Sequence, residues 1–125
     1  MMSQKLCYKD IVHSAVASQM IPNQQKLLLE DALIRSIDKR KLIRPQIYKR
    51  RFNIPINIVI QVMNGLTKEG LLTLKFEINI INVDHNKIYK YGKIPPTIFD
   101  ENIDDEVSVN LNNDVSPIYE VVTYD

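Results

Sequence analysis

The chain of 125 residues is 45% hydrophobic with a formal net charge of +1, the composition of one ordinary globular domain or a small domain with an appendage. No apolar run approaches the roughly 20 residues that a membrane-spanning helix needs, and the N-terminus lacks the pattern of a signal peptide. The single cysteine, Cys7, excludes an intrachain disulfide and a cysteine cluster, so we expect a protein of the reducing cytoplasm.

Charge is distributed unevenly along the chain. Residues 35–51 hold eight basic side chains and one acid, a local balance of +7. After Lys93 there is no basic residue, and eight acids give a balance of −8. This segregation indicates a basic surface for a polyanion or an acidic partner, with an acidic end that opposes or shields it. A solvated helix face followed by a solubilising tail explains the same pattern. We favour this plainer interpretation for the acidic tail. For the basic block, a binding surface and a solvated helix face explain the pattern about equally well.

The N-terminal third of the sequence is predicted to be helical. Residues 3–20 form a helix with one apolar side, and Ile21-Pro22-Asn23 breaks it. A second helix is predicted over residues 24–41, because apolar residues recur every four positions from Leu29 to Ile37.

The next segment predicts a short strand, a helix, a tight turn and another helix. Leu42-Ile43 is expected to be extended because the residue after it precedes a proline. Pro45 suits the first position of a helix that continues to Arg51. Asn53 tolerates the positive φ of a tight turn better than most residues. Pro55 then opens the following helix.

A helical period changes to a strand period near Gly70. Between Asn57 and Glu69 the apolar residues recur three and four apart, as on one face of a helix: Val59, Val62, Met63 and Leu66. Gly70 supplies the left-handed conformation that ends many helices. From Leu72 to Ile80 apolar and polar residues alternate strictly, which predicts a half-buried strand.

These segments resemble the winged helix-turn-helix of gluconate-repressor-type bacterial regulators. The similarity is carried by Phe52-Asn53-Ile54, Val59, Met63, Leu66 and Glu69-Gly70-Leu71-Leu72, with Asn53 in place of the usual turn glycine. The resemblance implies an α+β fold with three parts. Residues 1–23 would be an additional N-terminal helix, 24–81 the winged helix, and 82–125 a small β-rich acidic extension.

The extension resembles a small zinc ribbon in the order of its strands and turns. Lys87–Tyr91 is predicted to pair back as a hairpin strand, and two further short strands are predicted around Val107 and Ile118. The first turn offers only Asp84 and His85 as ligands, and the second offers only carboxylates. Structural zinc usually takes four Cys and His ligands. We therefore expect a ribbon that binds no metal. We also expect the protein to have no other cofactor.

The winged-helix resemblance implies a DNA-binding or DNA-associated regulatory protein, for example in transcription, with mostly phosphate contacts and weak base readout. Phosphate contacts are assigned around the first helix of the motif to Arg44, Lys49, Arg50 and Arg51. The recognition helix would present Asn57, Gln61, Asn64 and Lys68 to the groove, and Lys75 on the wing would add a phosphate contact.

A protein–protein function is the alternative. Ile56 and Ile60 occupy positions where such recognition helices usually show polar base-reading residues, and we expect both to be exposed. Exposed isoleucines are poor base readers and good protein contacts. The protein would then be an adaptor or accessory subunit of a bacterial multi-component system. Residues 3–20 also offer a surface for a homodimer, although nothing in them requires it.

The sequence contains no evident catalytic arrangement. Cys7, His13 and His85 are its only thiol and imidazole groups, and Cys7 with His13 lacks a third partner. Three glycines in the whole chain cannot form a phosphate-binding loop or a dinucleotide fingerprint. We therefore expect a protein that is not an enzyme.

Overall fold

The computed structural model describes residues 4–122, with side chains described from Tyr8 onward. Within this range the helices are α1 Gln4–Ala17, α2 Asn23–Asp38, α3 Pro45–Phe52 and α4 Ile56–Lys68. The strands are β1 Leu72–Ile78, β2 Ile88–Tyr89, β3 Thr97–Asp100, β4 Asp105–Ser108 and β5 Val115–Val121. The predicted α+β class is confirmed.

Contacts divide the described chain into two units. The chain passes from the first unit to the second within β1 and returns to the first within β5. One unit holds the described residues up to Thr73 and those from Tyr119 onward, and the other holds Leu74–Ile118. No helix among the described residues has the length and apolarity that crossing a membrane requires.

The core of the first unit is built from one apolar face of each long helix. Its fully buried side chains include Val12, Val16, Leu29, Leu33, Val59, Met63 and Leu66. Helix α1 contacts both α2 and α4, and α3 contacts α2 and α4. Removing each such side chain from water contributes about 1.5–3 kcal/mol before the cost of chain ordering. The three- and four-residue spacing seen in the sequence is therefore the spacing of this core.

The turn between α3 and α4 has the predicted conformation. Pro45 occupies the start of α3, where its missing N–H costs no hydrogen bond. Asn53 ends the helix with φ 54° and ψ 47°, the left-handed region. The side-chain amide of Gln25 on α2 donates to the carbonyls of Phe52 and Asn53, at 3.2 and 2.9 Å. Helix α2 thus holds the turn in place.

Helix α4 ends in a Schellman motif that leads directly into β1. Gly70 has φ 82°, the N–H of Gly70 donates to the carbonyl of Thr67, and that of Leu71 donates to the carbonyl of Leu66. This pair of bonds defines the motif and satisfies two carbonyls that the helix end would leave unpaired. The predicted change from helix to strand at Gly70 is confirmed.

Strand β1 lies between β2 and β5 in a three-stranded sheet. It pairs antiparallel with β2, with Phe76 opposite Tyr89. The residues that flank β1 bond to the residues that flank β5. The N–H of Asn79 donates to the carbonyl of Asp114, and the N–H of Val122 donates to the carbonyl of Leu71. Strands β1 and β5 therefore run antiparallel.

The predicted short strand at Leu42-Ile43 is reduced to one bridge. Ile43 and Tyr119 exchange both backbone hydrogen bonds, at 2.8 and 2.9 Å. Strand β5 thus provides the partner for the residues that precede α3, and Tyr119 is 1% exposed at this position.

The second unit contains a hairpin that was predicted only in part. Strands β3 and β4 pair from Thr97 opposite Ser108 to Asp100 opposite Asp105, around a turn at residues 101–104. The strand predicted around Val107 is β4. Strand β3 was missed because its two apolar residues, Ile98 and Phe99, are adjacent and so show no alternation with polar residues.

Candidate nucleic-acid interface

The exposed face of α4 is polar. Asn57, Gln61, Asn64 and Lys68 are all exposed and follow one another at intervals of four, three and four residues. A helix turns about 100° per residue, so these intervals place the four side chains in one stripe along its axis. We call these four residues the α4 stripe. The helix thus brings together the whole groove-facing set that the sequence predicted.

Ile56 and Ile60 lie beside this stripe and are half-buried. The expectation that both are exposed is therefore wrong. At about 100° per residue they fall between the stripe and the buried face formed by Val59 and Met63, so part of each side chain packs inside the protein. The face that α4 offers to a partner carries hydrogen-bonding groups, and less apolar surface than the sequence predicted.

Asn64 connects the α4 stripe to β5. The hydroxyl of Tyr119 donates a hydrogen bond of 2.8 Å to Oδ1 of Asn64. Burial raises the pKa of the Tyr119 phenol above its ordinary value of 10.0, so the phenol stays protonated to a higher pH than a solvated one. The bond occupies one lone pair of the amide oxygen and leaves the amide NH₂ of Asn64 available as a donor.

The four predicted phosphate-binding residues around α3 divide into two pairs. All four are exposed. Arg44 and Arg51 line a groove between α2 and α3, whereas Lys49 and Arg50 lie outside its lining. The guanidinium of Arg51 sits 5.3 Å from the ring centre of Phe52, a cation–π distance. Two of the four predicted phosphate contacts, Arg44 and Arg51, therefore belong to the lining of this groove.

Lys75 lies on β1 and is half-buried. It belongs to the unit Leu74–Ile118, whereas the α4 stripe belongs to the other unit.

The groove between α2 and α3 was not predicted. It has a volume of about 450 Å³. Its lining includes three exposed apolar side chains, Leu28, Leu42 and Ile47, and three exposed cations, Arg35, Lys39 and Lys41. The sequence signal that points to it is Leu28, an apolar residue on α2 outside the stripe formed by Leu29, Leu33 and Ile37.

Tyr48 forms part of the groove and is itself buried. Its hydroxyl lies 2.6 Å from the hydroxyl of Ser36 on α2. Burial raises the pKa of the Tyr48 phenol, an effect partly offset by the Ser36 hydrogen bond and the nearby Arg51 charge. The groove wall is therefore fixed by a neutral, hydrogen-bonded tyrosine.

The second unit has a cavity of about 660 Å³. Its lining includes residues of both turns that the sequence offered as possible metal sites, Asp84 and His85 from the first and Asp100 from the second. Asp100 is buried and accepts a hydrogen bond from the N–H of Asn102 at 3.0 Å. The His85 ring stacks on Tyr89 with its Nε2 2.5 Å from the phenol oxygen. Among the described residues, no group of three or more His, Cys, Asp or Glu side chains is placed to hold a metal ion.

The remaining candidate for chemistry in the sequence, Cys7 with His13, has no described arrangement. The Cys7 side chain lies outside the described residues. His13 Nδ1 lies 2.7 Å from Glu30 Oε1, which connects α1 to α2 on the surface.

No protein-family model, curated protein or solved structure matched the chain.

Proposed function

We propose that this is a non-enzymatic, cytoplasmic winged-helix protein that binds DNA directly or acts as the DNA-associated part of a regulatory system. Helix α3, the turn at Asn53 and α4 would be its helix-turn-helix, with α4 as the recognition helix and β1 as the first strand of the wing. The single observation that carries the proposal is the α4 stripe, in which every exposed residue can hydrogen-bond or carry positive charge.

The α4 stripe suits the major groove in size and chemistry. The groove is about 12 Å wide and admits one helix. Asn57 and Gln61 carry amides, which pair well with the edge of adenine through one donor and one acceptor. Lys68 at the far end of the helix would contact a phosphate. Three amides on one helix read few bases, so base preference is expected to be weak.

Phosphate attraction would supply most of the affinity. Lys49 and Arg50 are exposed on α3, immediately before the turn that leads to α4. With Lys68 and one further cation they would neutralise about four phosphates, which predicts a slope of about −4 for log K against log salt concentration. Binding should therefore weaken by roughly a hundredfold between about 50 and 200 mM salt.

A binding titration with variants that introduce negative charge tests the proposal. Asn57→Asp with Gln61→Glu places two negative charges in the stripe. Ser14→Glu with Ala17→Glu makes the same charge change on the exposed face of α1. Fluorescence anisotropy with a labelled duplex should show at least a tenfold loss for the stripe variant and much less for the α1 variant. Equal losses would show only a general charge effect, and no binding by the unaltered protein at low salt would refute the proposal.

A further inference from the structure

The groove between α2 and α3 is lined by both apolar and positively charged side chains. Leu28, Leu42 and Ile47 are among its lining residues, and each retains more than a third of its accessible surface. Five cations line it against one acid, Asp31, which already pairs with Arg35 at 3.2 Å. Such a site fits a segment that combines apolar side chains with several carboxylates.

The β3–β4 hairpin of the second unit has that composition. Phe99 at 51% and Ile103 at 61% are exposed beside or within its turn. Four exposed carboxylates surround them: Glu101, Asp104, Asp105 and Glu106. No basic residue follows Lys93, so nothing nearby in the sequence neutralises this tip.

We infer that the acidic tip of the β3–β4 hairpin on one copy of this chain docks into the basic α2–α3 groove of a second copy. Each copy carries both halves of the contact, so the interface joins two different surfaces. This accounts for the charge segregation of a chain whose net charge is only +1. The proposal is independent of DNA binding by the α4 stripe.

The contact would be weak and sensitive to salt. A hairpin tip in a groove of this size buries less than the roughly 1,200 Å² of a standard interface, which is typical of transient association. We therefore expect a dissociation constant on the order of 100 μM at low salt. Because the charges on both surfaces are exposed, association should fall as ionic strength rises.

Two variants that each damage one half of the contact test the inference. Lys39→Glu with Lys41→Glu reverses two charges in the groove lining. Phe99→Ser with Ile103→Ser removes the apolar side chains of the hairpin tip without changing charge. All four side chains lie at the surface, and thermal unfolding checks that each variant is folded. Lys90→Glu with Lys93→Glu, exposed residues outside both surfaces, is the matched charge control.

Sedimentation velocity of the full chain from about 20 μM to 1 mM gives the result. The unaltered protein and the control should associate as concentration rises, while each test variant alone should stay monomeric. A mixture of the two test variants should form dimers, because the hairpin variant keeps an intact groove and the groove variant an intact hairpin. Adding Glu101→Lys and Glu106→Lys to the groove variant should restore its self-association.

Three results would overturn the inference. One is an unaltered protein that stays monomeric at 1 mM in low salt, which would leave the groove to an acidic segment of another protein. A second is that both test variants, each measured alone, still associate. A third is that the mixture of the two test variants stays monomeric.

Discussion

The Tyr119 hydroxyl and the Asn64 side-chain amide form a hydrogen bond. Removing the hydroxyl and removing the amide should lower the free energy of unfolding by different amounts. Tyr119→Phe deletes the donor and leaves the oxygen of Asn64, an exposed residue that water can reach, so the loss should be about 1 kcal/mol. Asn64→Ala instead leaves a hydroxyl without its partner on a residue that is 1% exposed. An unsatisfied buried donor costs about 1–3 kcal/mol, offset by about 0.6 kcal/mol because alanine favours helix more than asparagine does.

The double variant isolates the bond from these other effects. In the Tyr119→Phe background Asn64→Ala leaves no hydroxyl without a partner. Asn64→Ala should then raise the free energy of unfolding slightly, by the higher helix propensity of alanine alone. The cycle should give a coupling energy of about 1–3 kcal/mol. Urea unfolding followed by circular dichroism measures the four free energies, with equal slopes required for the comparison. Asn57→Ala, the same substitution at an exposed position of the same helix, calibrates the propensity term.

A coupling energy within about 0.3 kcal/mol of zero would refute this reasoning. It would mean that the Tyr119 hydroxyl does not depend on Asn64, and that β5 and the α4 stripe are not connected as described.

Three further predictions concern stability, each measured by urea unfolding. Leu33→Ala should lower the free energy of unfolding by about 2–5 kcal/mol because Leu33 is fully buried. Leu27 is 69% exposed, so Leu27→Ala should change it by less than about 0.5 kcal/mol. Similar losses for the two variants would contradict the assigned face of α2. Asn53→Gly should stabilise by up to about 1 kcal/mol and Asn53→Val should destabilise, because φ is 54°; the opposite order would contradict the turn. Since burial raises the pKa of Tyr48 and Tyr119, the folded state keeps protons that the unfolded chain loses near pH 10.0. The contribution of these two phenols to stability should therefore be constant below that pH and fall above it. The fall should be less steep in Tyr119→Phe, and an equal fall in that variant would contradict the buried phenol.

The α3–turn–α4–β1 segment was predictable because local chemistry determines it. Pro45 can start a helix, Asn53 and Gly70 can adopt positive φ, and the apolar period changes where the helix ends. Each of these signals acts within a few residues of its effect, so one sequence contains all the information that the segment needs.

The pairing of distant strands was not predictable in the same way. Ile43 pairs with Tyr119, and β5 lies next to β1, although each pair is far apart in the sequence. An alternating pattern shows that a strand has a buried face but does not name the strand beside it. The sequence therefore predicted β5 as an element without its position in the sheet.

The candidate site was predicted to the extent that helical phase determines it. The α4 stripe follows from the spacing of its buried residues alone. Ile56 and Ile60 lie at the border of that face, where exposure depends on neighbouring elements and not on phase. The groove between α2 and α3 depends on two helices and a loop together, so its lining could not be assembled from any single segment.

Chemical-shift mapping of the ¹⁵N-labelled protein with a duplex at low salt tests the central proposal most directly, because it locates the contact residue by residue. The proposal predicts that the largest shifts occur in the side-chain amides of Asn57 and Gln61, in the backbone of α4 and at Lys49 and Arg50, and that they fade as salt is raised. Shifts confined to the unit Leu74–Ile118, or no shifts at low salt, would contradict it.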